Sequence, residues 1–166
     1  MKLKVFKTNE QAVVPSFATE GSACFDLCAC LCEGSDEVLV YHNVDSEVVK
    51  CTQSGKFLVE PRKRVMIPTG LIFDIPKGYS VRLHPRSGLA LKNGINLVNQ
   101  EAVIDSDYVN EVKILLTNTT STPFVVEHGM RICQGELVKS TVTDIVEVKK
   151  APKSSTRDGG FGSTGV

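Results

Sequence analysis

The sequence lacks three features that would point to particular classes of protein. It has no excess of either charge, because nineteen Lys and Arg residues balance nineteen Asp and Glu residues. A neutral chain is poorly suited to coat nucleic acid or an anionic membrane, so neither partner is expected. No apolar run approaches the length of a membrane span, and the first residues, MKLKVFKTNEQ, contain no apolar signal segment. We therefore expect a soluble cytoplasmic or otherwise intracellular protein (in the host cell interior or nucleus if its source is viral).

A helical apolar period is also almost absent. Short runs of β-branched and aromatic residues alternate with Gly and Pro, and only residues 87–92 suggest a helical turn. A chain of 166 residues without internal repeats favours a single domain. The pattern therefore predicts an all-β sandwich or jelly roll over residues 1–150. Residues 151–166, rich in Gly, Ser, Thr and Lys, are predicted to be a flexible tail.

Cysteines cluster near the N-terminus, at Cys24, Cys28, Cys30 and Cys32. Without a signal segment they are expected to be reduced thiols. A strand predicted over residues 25–31 would place the last three on one side. Zinc normally takes cysteine ligands from turns, and a single extended strand cannot surround a metal ion. We therefore favour small buried thiols, with zinc as the competing interpretation.

The most informative stretch lies in the middle of the chain. Two apolar runs, residues 95–98 and 103–104, flank the polar residues 99–101, which predicts a β-hairpin although an Asn-Gly turn pair is absent. The second arm leads into Asp105 and Tyr108. A carboxylate can orient and deprotonate a water molecule for attack on phosphorus, and no Ser-His pair or Cys with a placed His offers another nucleophile. The stretch is predicted to hold a flat ligand beside a reactive water.

Five segments of the chain, this one included, resemble in order the motifs of the trimeric dUTP pyrophosphatases (dUTPases). The other four read SACFDL at 22–27, PRSG at 85–88, RICQ at 131–134 and GGFGSTG at 159–165. The resemblance implies a distorted jelly roll and a homotrimer with active sites at subunit interfaces. It also implies hydrolysis of dUTP to dUMP and pyrophosphate with Mg²⁺, which limits uracil in DNA and supplies dUMP for thymidylate synthesis.

The resemblance also implies roles for individual residues. Asp105 is the catalytic base, Arg86 supports it, and Asp26 holds the metal ion indirectly, through water. Mg²⁺ keeps several of its waters, so one carboxylate is chemically adequate. The implied substrate contacts are Arg86, Ser87, Gly88, Asn99, Val103, Ile104, Asp105, Tyr108, Lys113, Gln134, Arg157, Phe161, Gly162, Ser163 and Thr164.

Selectivity follows from the same resemblance. Tyr108 packs against the sugar and leaves no room for a 2′-hydroxyl, while Asn99 and backbone groups read the uracil edge and reject cytosine. In the tail, Phe161 stacks on uracil, so residues 151–166 are expected to act as a lid. Ala102 stands where the family usually has Gly; if that position needs a positive φ, Ala is strained there by ~1–2 kcal/mol.

Residues 33–57 are expected to be an insertion relative to the family. Compared with the family, this region is longer by roughly twenty residues, and surface loops tolerate such insertions. We predict a surface excursion without catalytic residues, in which residues 38–40 and 48–49 form an added hairpin.

The alternatives to a dUTPase are a dCTP deaminase-like enzyme of the same fold and a dUTPase-like regulatory binding protein.

Overall fold

The computed structural model describes residues 1–32, 37–50 and 54–151. The described residues form one short helix and fourteen strands. The elements are β1 (Lys4–Lys7), β2 (Ser16–Phe17), β3 (Phe25–Cys28), β4 (Glu37–His42), β5 (Asp45–Lys50), β6 (Lys56–Val59), β7 (Arg64–Pro68), β8 (Leu71–Asp74), β9 (Tyr79–His84), α1 (Ser87–Asn93), β10 (Ile95–Leu97), β11 (Ala102–Ile104), β12 (Lys113–Asn118), β13 (Phe124–Glu127) and β14 (Arg131–Lys139). No helix in this part of the chain is long and apolar enough to cross a membrane.

Two five-stranded antiparallel sheets make up the body of the fold. The strand order is β10-β12-β7-β4-β5 in the first sheet and β11-β9-β14-β3-β2 in the second, with smaller pairs β1-β8 and β13-β6. One hydrophobic cluster joins the sheets, because Ile67 and Ile114 of the first and Leu27 and Leu83 of the second are buried in it. The predicted all-β, jelly-roll-type fold is confirmed.

Helix α1 carries the chain from the second sheet to the first. It follows β9 and ends where Gly94 adopts a left-handed conformation, with φ +62°. A side chain at this position would collide with Thr120, so both the conformation and the space require glycine. The short helix therefore places residues 85–88 at a fixed corner of the sandwich.

The two arms of the predicted central hairpin do not pair with each other. Strand β10 pairs with β12 in the first sheet, and β11 pairs with β9 in the second. The hairpin prediction is therefore wrong, and residues 98–101 cross between the sheets. Both arms are apolar, and Ile95, Leu97 and Ala102 are buried, so each arm gains more from its own sheet than from a two-stranded ribbon.

The bend in this crossing is made at Glu101 rather than Ala102. Glu101 has a φ of +36°, whereas Ala102 does not have a positive φ. The Glu101 carboxylate lies 3.4 Å from the Arg82 guanidinium of the neighbouring strand. The strain considered for Ala102 is therefore absent, and its small side chain is buried between the sheets.

Residues 37–50 form the predicted hairpin, but it is not a surface excursion. Strand β4 pairs with β5 on one side and, through Leu39–Tyr41, with β7 on the other. Val38 and Val40 point into the core and are 0% and 6% exposed. The prediction of a purely superficial insertion is corrected, because alternate residues of β4 complete the first sheet's buried face. Residues 33–36 and 51–53 of the predicted insertion lie outside the described residues.

Replacing residues 37–50 by a Gly-Ser linker should lower the free energy of unfolding by several kcal/mol. Each buried valine contributes about 1.5–3 kcal/mol, and the replacement also removes the β4–β7 hydrogen bonds. Urea denaturation gives the difference. Val48→Ser, on the exposed side of β5, is the matched control and should change little. An unchanged denaturation midpoint for the linker variant would mean that β4 is dispensable for the core.

The strand predicted over residues 142–148 is not formed. Strand β14 ends at Lys139, and the Ser140 amide donates to the Gly78 carbonyl. Beyond it, residues 141–148 form no regular secondary structure, and Val142 and Ile145 are 89% and 96% exposed. The sequence pattern of a strand is present, but within the described residues no sheet edge receives it.

Candidate active site

An ion-paired cluster lies where β3, β14 and the start of α1 meet. The Asp26 carboxylate lies 3.2 Å from Arg86 Nε and 3.0 Å from Arg131 Nη1. Arg86 also donates from Nη1 to the Arg131 carbonyl at 2.8 Å. Gln134 faces Asp26 across the β3–β14 ladder and donates from Nε2 to the Pro85 carbonyl at 3.0 Å. Three of the five predicted motifs thus converge, and we call Asp26, Arg86, Arg131 and Gln134 the arginine cluster.

Ser87 and Gly88 extend the arginine cluster to the surface. Both are exposed at the first two positions of α1. A Cβ added at Gly88 would meet no atom within 4 Å, and the residue is not left-handed. The chain's own packing therefore does not require glycine there, and the backbone is open to close approach by a ligand.

Gly88→Ala should not lower the melting temperature, since alanine is the better helix former, and should raise the KM for a phosphorylated substrate. The added methyl group meets no protein atom, but it occupies the space through which a phosphate would approach the backbone. Gly21→Ala is the matched control, since Gly21 is also exposed with open space around it. Equal KM values for both variants and the wild type would remove Gly88 from the site.

Two thiols beneath this cluster are chemically quiet. Burial raises the pKa of Cys133 well above its usual range, and the negative charge of Asp26 raises it further. The pKa of Cys28 is also raised, first by burial and then by Asp26. Both thiols therefore stay protonated at neutral pH and are not nucleophiles.

A second group of predicted residues lines one cavity of about 270 Å³. Residues of β11 and its continuation line it together with the apolar side chains of Leu83, Leu97 and Leu115. The predicted residues that it brings together are Asn99, Val103, Ile104, Asp105, Tyr108 and Lys113. We call it the β11 cavity. Apolar walls with a few polar groups are typical of a site for a small flat ligand.

Tyr108 is held in place beside Asp105 by its own turn. The Tyr108 amide donates to the Asp105 carbonyl at 3.2 Å, and its hydroxyl donates to the Glu111 carbonyl at 3.0 Å. Glu111 is in turn anchored, because its carboxylate accepts the Gly70 amide at 2.7 Å. The aromatic ring therefore has a fixed position at the cavity, while the Asp105 carboxylate remains exposed to solvent.

Asp105 and the arginine cluster lie toward opposite ends of β9. Ile104 pairs with Val81, so Asp105 continues toward Ser80, whereas Arg86 follows the other end of the strand. The six residue steps from Ser80 to Arg86 span ~20 Å when extended, which is beyond the reach of the Asp105 and Arg86 side chains. Among the described residues, no ion pair joins Arg86 to Asp105. The predicted support of Asp105 by Arg86 is therefore not made within one chain.

The sequence interpretation missed how Asp26 is held, and part of the predicted site is not described. It assigned Asp26 to a metal ion but did not predict the double ion pair with Arg86 and Arg131, which depends on the register of β14 against β3. Five predicted contacts in the C-terminal tail lie outside the described residues and stay predictions: Arg157, Phe161, Gly162, Ser163 and Thr164.

Comparison with known proteins identifies the family. The family model of dUTPase matches residues 52–165. The deoxyuridine 5′-triphosphate nucleotidohydrolase of Hydrogenobaculum sp. (strain Y04AAS1) is 37% identical over 166 residues, which cover 100% of this chain and 99% of that protein. The chain belongs to the dUTPase family. The Asp26 segment lies outside the matched model but inside the alignment with this relative.

Solved dUTPases share the fold at low sequence identity. A variant of the Staphylococcus bacteriophage 80alpha dUTPase, with dUpNHpp, aligns with a TM-score of 0.76 at 20% identity over 99% of both chains. A variant of the dUTPase from phage phi11 of S. aureus, whose structure concerns the coordination of a structural Mg(II) ion, has a TM-score of 0.70 at 16% identity, covering 90% of this chain and 98% of that one.

Proposed function

We propose that this dUTPase-family chain hydrolyses dUTP to dUMP and pyrophosphate at sites that two or more copies of the chain build together, in a homotrimer. The observation that carries the proposal is the separation of Asp105 from the arginine cluster along β9, which is beyond the reach of the Asp105 and Arg86 side chains within one chain. One copy then supplies the cavity with Asp105, and a neighbour supplies the arginine cluster.

The β11 cavity suits a deoxyuridine group. Leu83 and Leu97 provide apolar contact for the base, and Asn99 can donate and accept hydrogen bonds at the uracil edge. The fixed Tyr108 ring packs against the sugar where a 2′-hydroxyl would project. Cytosine presents an amine where uracil presents a carbonyl oxygen, so it leaves the fixed polar groups mispaired.

The arginine cluster suits the triphosphate. Asp26 with Arg86 and Arg131 carries a net charge of about +1, because two guanidinium groups share one carboxylate. Both arginines are partly exposed, so their remaining N–H groups can meet phosphate oxygens. The Ser87 hydroxyl and the second N–H of the Gln134 amide add neutral donors. Such a group binds an anion and stabilises charge on the departing pyrophosphate.

Mg²⁺ fits this site only together with the phosphates. Both Asp26 oxygens already accept a guanidinium group, and each can accept one further hydrogen bond, for example from a metal-bound water. Direct coordination beside two positive charges is unfavourable. The residues present therefore agree with indirect, water-mediated contact by Asp26. The bound ion would neutralise triphosphate charge, as it does in other phosphoryl-transfer sites.

Asp105 completes the reaction by accepting a proton. Its exposed carboxylate hydrogen-bonds a water molecule, which attacks the α-phosphorus. The bond from the α-phosphorus to the bridging oxygen breaks, pyrophosphate leaves with the bonding electrons, and the water's proton passes to Asp105. With both nearby thiols protonated, the attacking group in this proposal is water rather than a side chain.

Exposed apolar residues support assembly of several copies. Val142, Ile145, Val146 and Val148 are each at least 70% exposed in a single chain, although their spacing predicts a strand. An extended apolar segment of this kind gains both burial and hydrogen bonds by adding to a sheet of another copy. We include this segment in the proposed homotrimer interface.

A pyrophosphate-release assay with dUTP, dTTP, dCTP and UTP tests the function. We expect turnover of dUTP in the presence of Mg²⁺ and little with the other three nucleotides. Release of ammonia from dCTP would favour the deaminase alternative. Binding of dUTP without pyrophosphate release would favour the regulatory alternative and contradict the proposal.

Tyr108→Ala should reduce the preference for dUTP over UTP by about tenfold or more. The Tyr108 ring excludes the 2′-hydroxyl of UTP by occupying its space, and alanine leaves that space open. Tyr108→Phe is the matched control, because it keeps the ring and loses only the hydrogen bond to Glu111. The measurement is the ratio of kcat/KM values for the two nucleotides. A ratio unchanged in Tyr108→Ala would show that another group excludes the ribose.

A further inference from the structure

A group of sulfur and nitrogen ligands lies at the end of β3, and none of its residues lines the β11 cavity. After β3 the chain runs beside the turn between β13 and β14: the Ala29 amide donates to the Met130 carbonyl at 2.9 Å, and the Gly129 amide donates to the Ala29 carbonyl at 2.8 Å. This arrangement brings Cys30 and Cys32 to His128. One ligand atom from each of the three lies within 4.8 Å of the other two.

The spacing of the two sulfur atoms matches a tetrahedral metal site. Cys30 Sγ and Cys32 Sγ are 3.8 Å apart. Two sulfur ligands, each about 2.3 Å from a tetrahedral zinc ion, are about 3.8 Å apart as well. Both side chains are buried, so little rotational freedom is lost when a metal ion binds.

The histidine is oriented to complete the ligand set. The Leu31 amide donates to His128 Nδ1 at 3.1 Å, so the lone pair of this nitrogen points toward the segment that carries both cysteines. A metal ion can take over this lone pair, and the Leu31 amide is then free to donate to a thiolate. Asn9 Nδ2 already donates to Cys32 Sγ at 3.0 Å, which favours a negatively charged sulfur.

We propose that Cys30, Cys32 and His128 form a binding site for Zn²⁺. Two thiolates and one imidazole are ligands that zinc prefers, and water can fill the fourth position. Binding displaces one proton from each thiol, so the affinity should rise with pH. A route for the ion exists, since His128 is exposed and Cys30 lines a cavity of about 280 Å³.

The proposal departs from the sequence interpretation that disfavoured zinc. That interpretation placed three cysteines on one strand, but β3 ends at Cys28, and residues 29–32 are not a strand. His128, in the turn between β13 and β14, then approaches the proposed metal position from a side that ligands on a single strand cannot reach. Bound zinc would tie the end of β3 to the start of β14, the two strands that carry Asp26 and Arg131. Its role is structural, because none of its ligands belongs to the proposed active site.

The test is metal binding by the reduced full-length protein. After chelator treatment and reconstitution, we expect about one Zn²⁺ per chain by elemental analysis, a higher melting temperature with zinc, and, with Co²⁺ instead, the absorption of a tetrahedral thiolate complex. His128→Ala should lower the zinc affinity about tenfold or more and abolish the zinc-dependent rise in melting temperature. His128→Cys should restore both.

Cys24→Ser is the matched control, because this half-buried cysteine precedes β3 and lies outside the ligand group. It should bind zinc like the wild type. His128→Ala removes the acceptor of the Leu31 amide, so circular dichroism checks that this variant is folded, and His128→Asn, which keeps a hydrogen-bond acceptor, is a second variant expected to bind zinc more weakly. The proposal is overturned if the reduced wild-type protein binds no zinc, if His128→Ala binds it equally well, or if the cysteine pair binds none and only forms a disulfide on mild oxidation.

Discussion

Asp105→Asn should bind dUTP almost as tightly as the wild type and lose about 10²–10⁴ of kcat, the contribution typical of a general base. The amide has nearly the same shape as the carboxylate, so the β11 cavity and the turn to Tyr108 are preserved. It cannot accept the proton of the attacking water. Stopped-flow or pH-indicator assays give kcat, and calorimetry with a non-hydrolysable dUTP analogue gives the affinity.

Asp107→Asn is the control for this experiment. Asp107 lies two residues further along and is also an exposed carboxylate, but it does not line the β11 cavity. It should retain normal turnover. If Asp105→Asn kept kcat within threefold of the wild type, Asp105 would not be the base, and the two carboxylates would have to be compared again.

Arg86→Ala should lower kcat/KM for dUTP by about 10²–10³, as the loss of one charged donor at a developing negative charge usually does. The variant removes a guanidinium group that would contact the phosphates and leaves Asp26 with Arg131 alone. The net charge of the arginine cluster falls to about zero, so a triphosphate is attracted less strongly. The kcat/KM of Arg86→Lys should lie between those of the wild type and Arg86→Ala, because lysine keeps the charge but lacks the planar guanidinium group.

Lys92→Ala separates this effect from a general loss of positive charge. Lys92 lies in the last turn of α1 and is exposed. Its removal changes the total charge by the same amount as Arg86→Ala, and kcat/KM should stay near the wild-type value at physiological ionic strength, where distant charges are screened. An equal loss in both variants would mean that long-range attraction, rather than contact, explains the role of Arg86.

The sequence was sufficient to predict the fold class, and it grouped residues that the structure also brings together, while their roles stay predictions. Short β-branched runs between Gly and Pro predict a sandwich whichever strands pair with one another. Six predicted residues, Asp105 among them, do line one cavity. Strand partners were not predictable in the same way. The arms at residues 95–97 and 102–104 are both apolar, and only their packing decides that they belong to different sheets.

The placement of charged and sulfur side chains also depends on pairing. Asp26 and Arg131 are 105 residues apart, and the register of β14 against β3 brings them together. Cys30 and His128 are also far apart in the sequence, and they come together because the turn between β13 and β14 packs beside the end of β3. Local sequence patterns do not predict contacts between distant residues. The double ion pair and the proposed metal ligands are therefore recognised only in the folded structure.

The central claim, that one active site needs two copies of the chain, is tested most directly by mixing two inactive variants. Asp105→Asn lacks the proposed base and Arg86→Ala lacks the proposed phosphate contact. If each site takes Asp105 from one copy and Arg86 from another, about a quarter of the sites in randomly mixed oligomers contain both intact residues. Co-expression of the two variants should therefore restore dUTP hydrolysis to about a quarter of the wild-type kcat. Activity no higher than that of the separate variants, in oligomers shown to be mixed, would contradict the account.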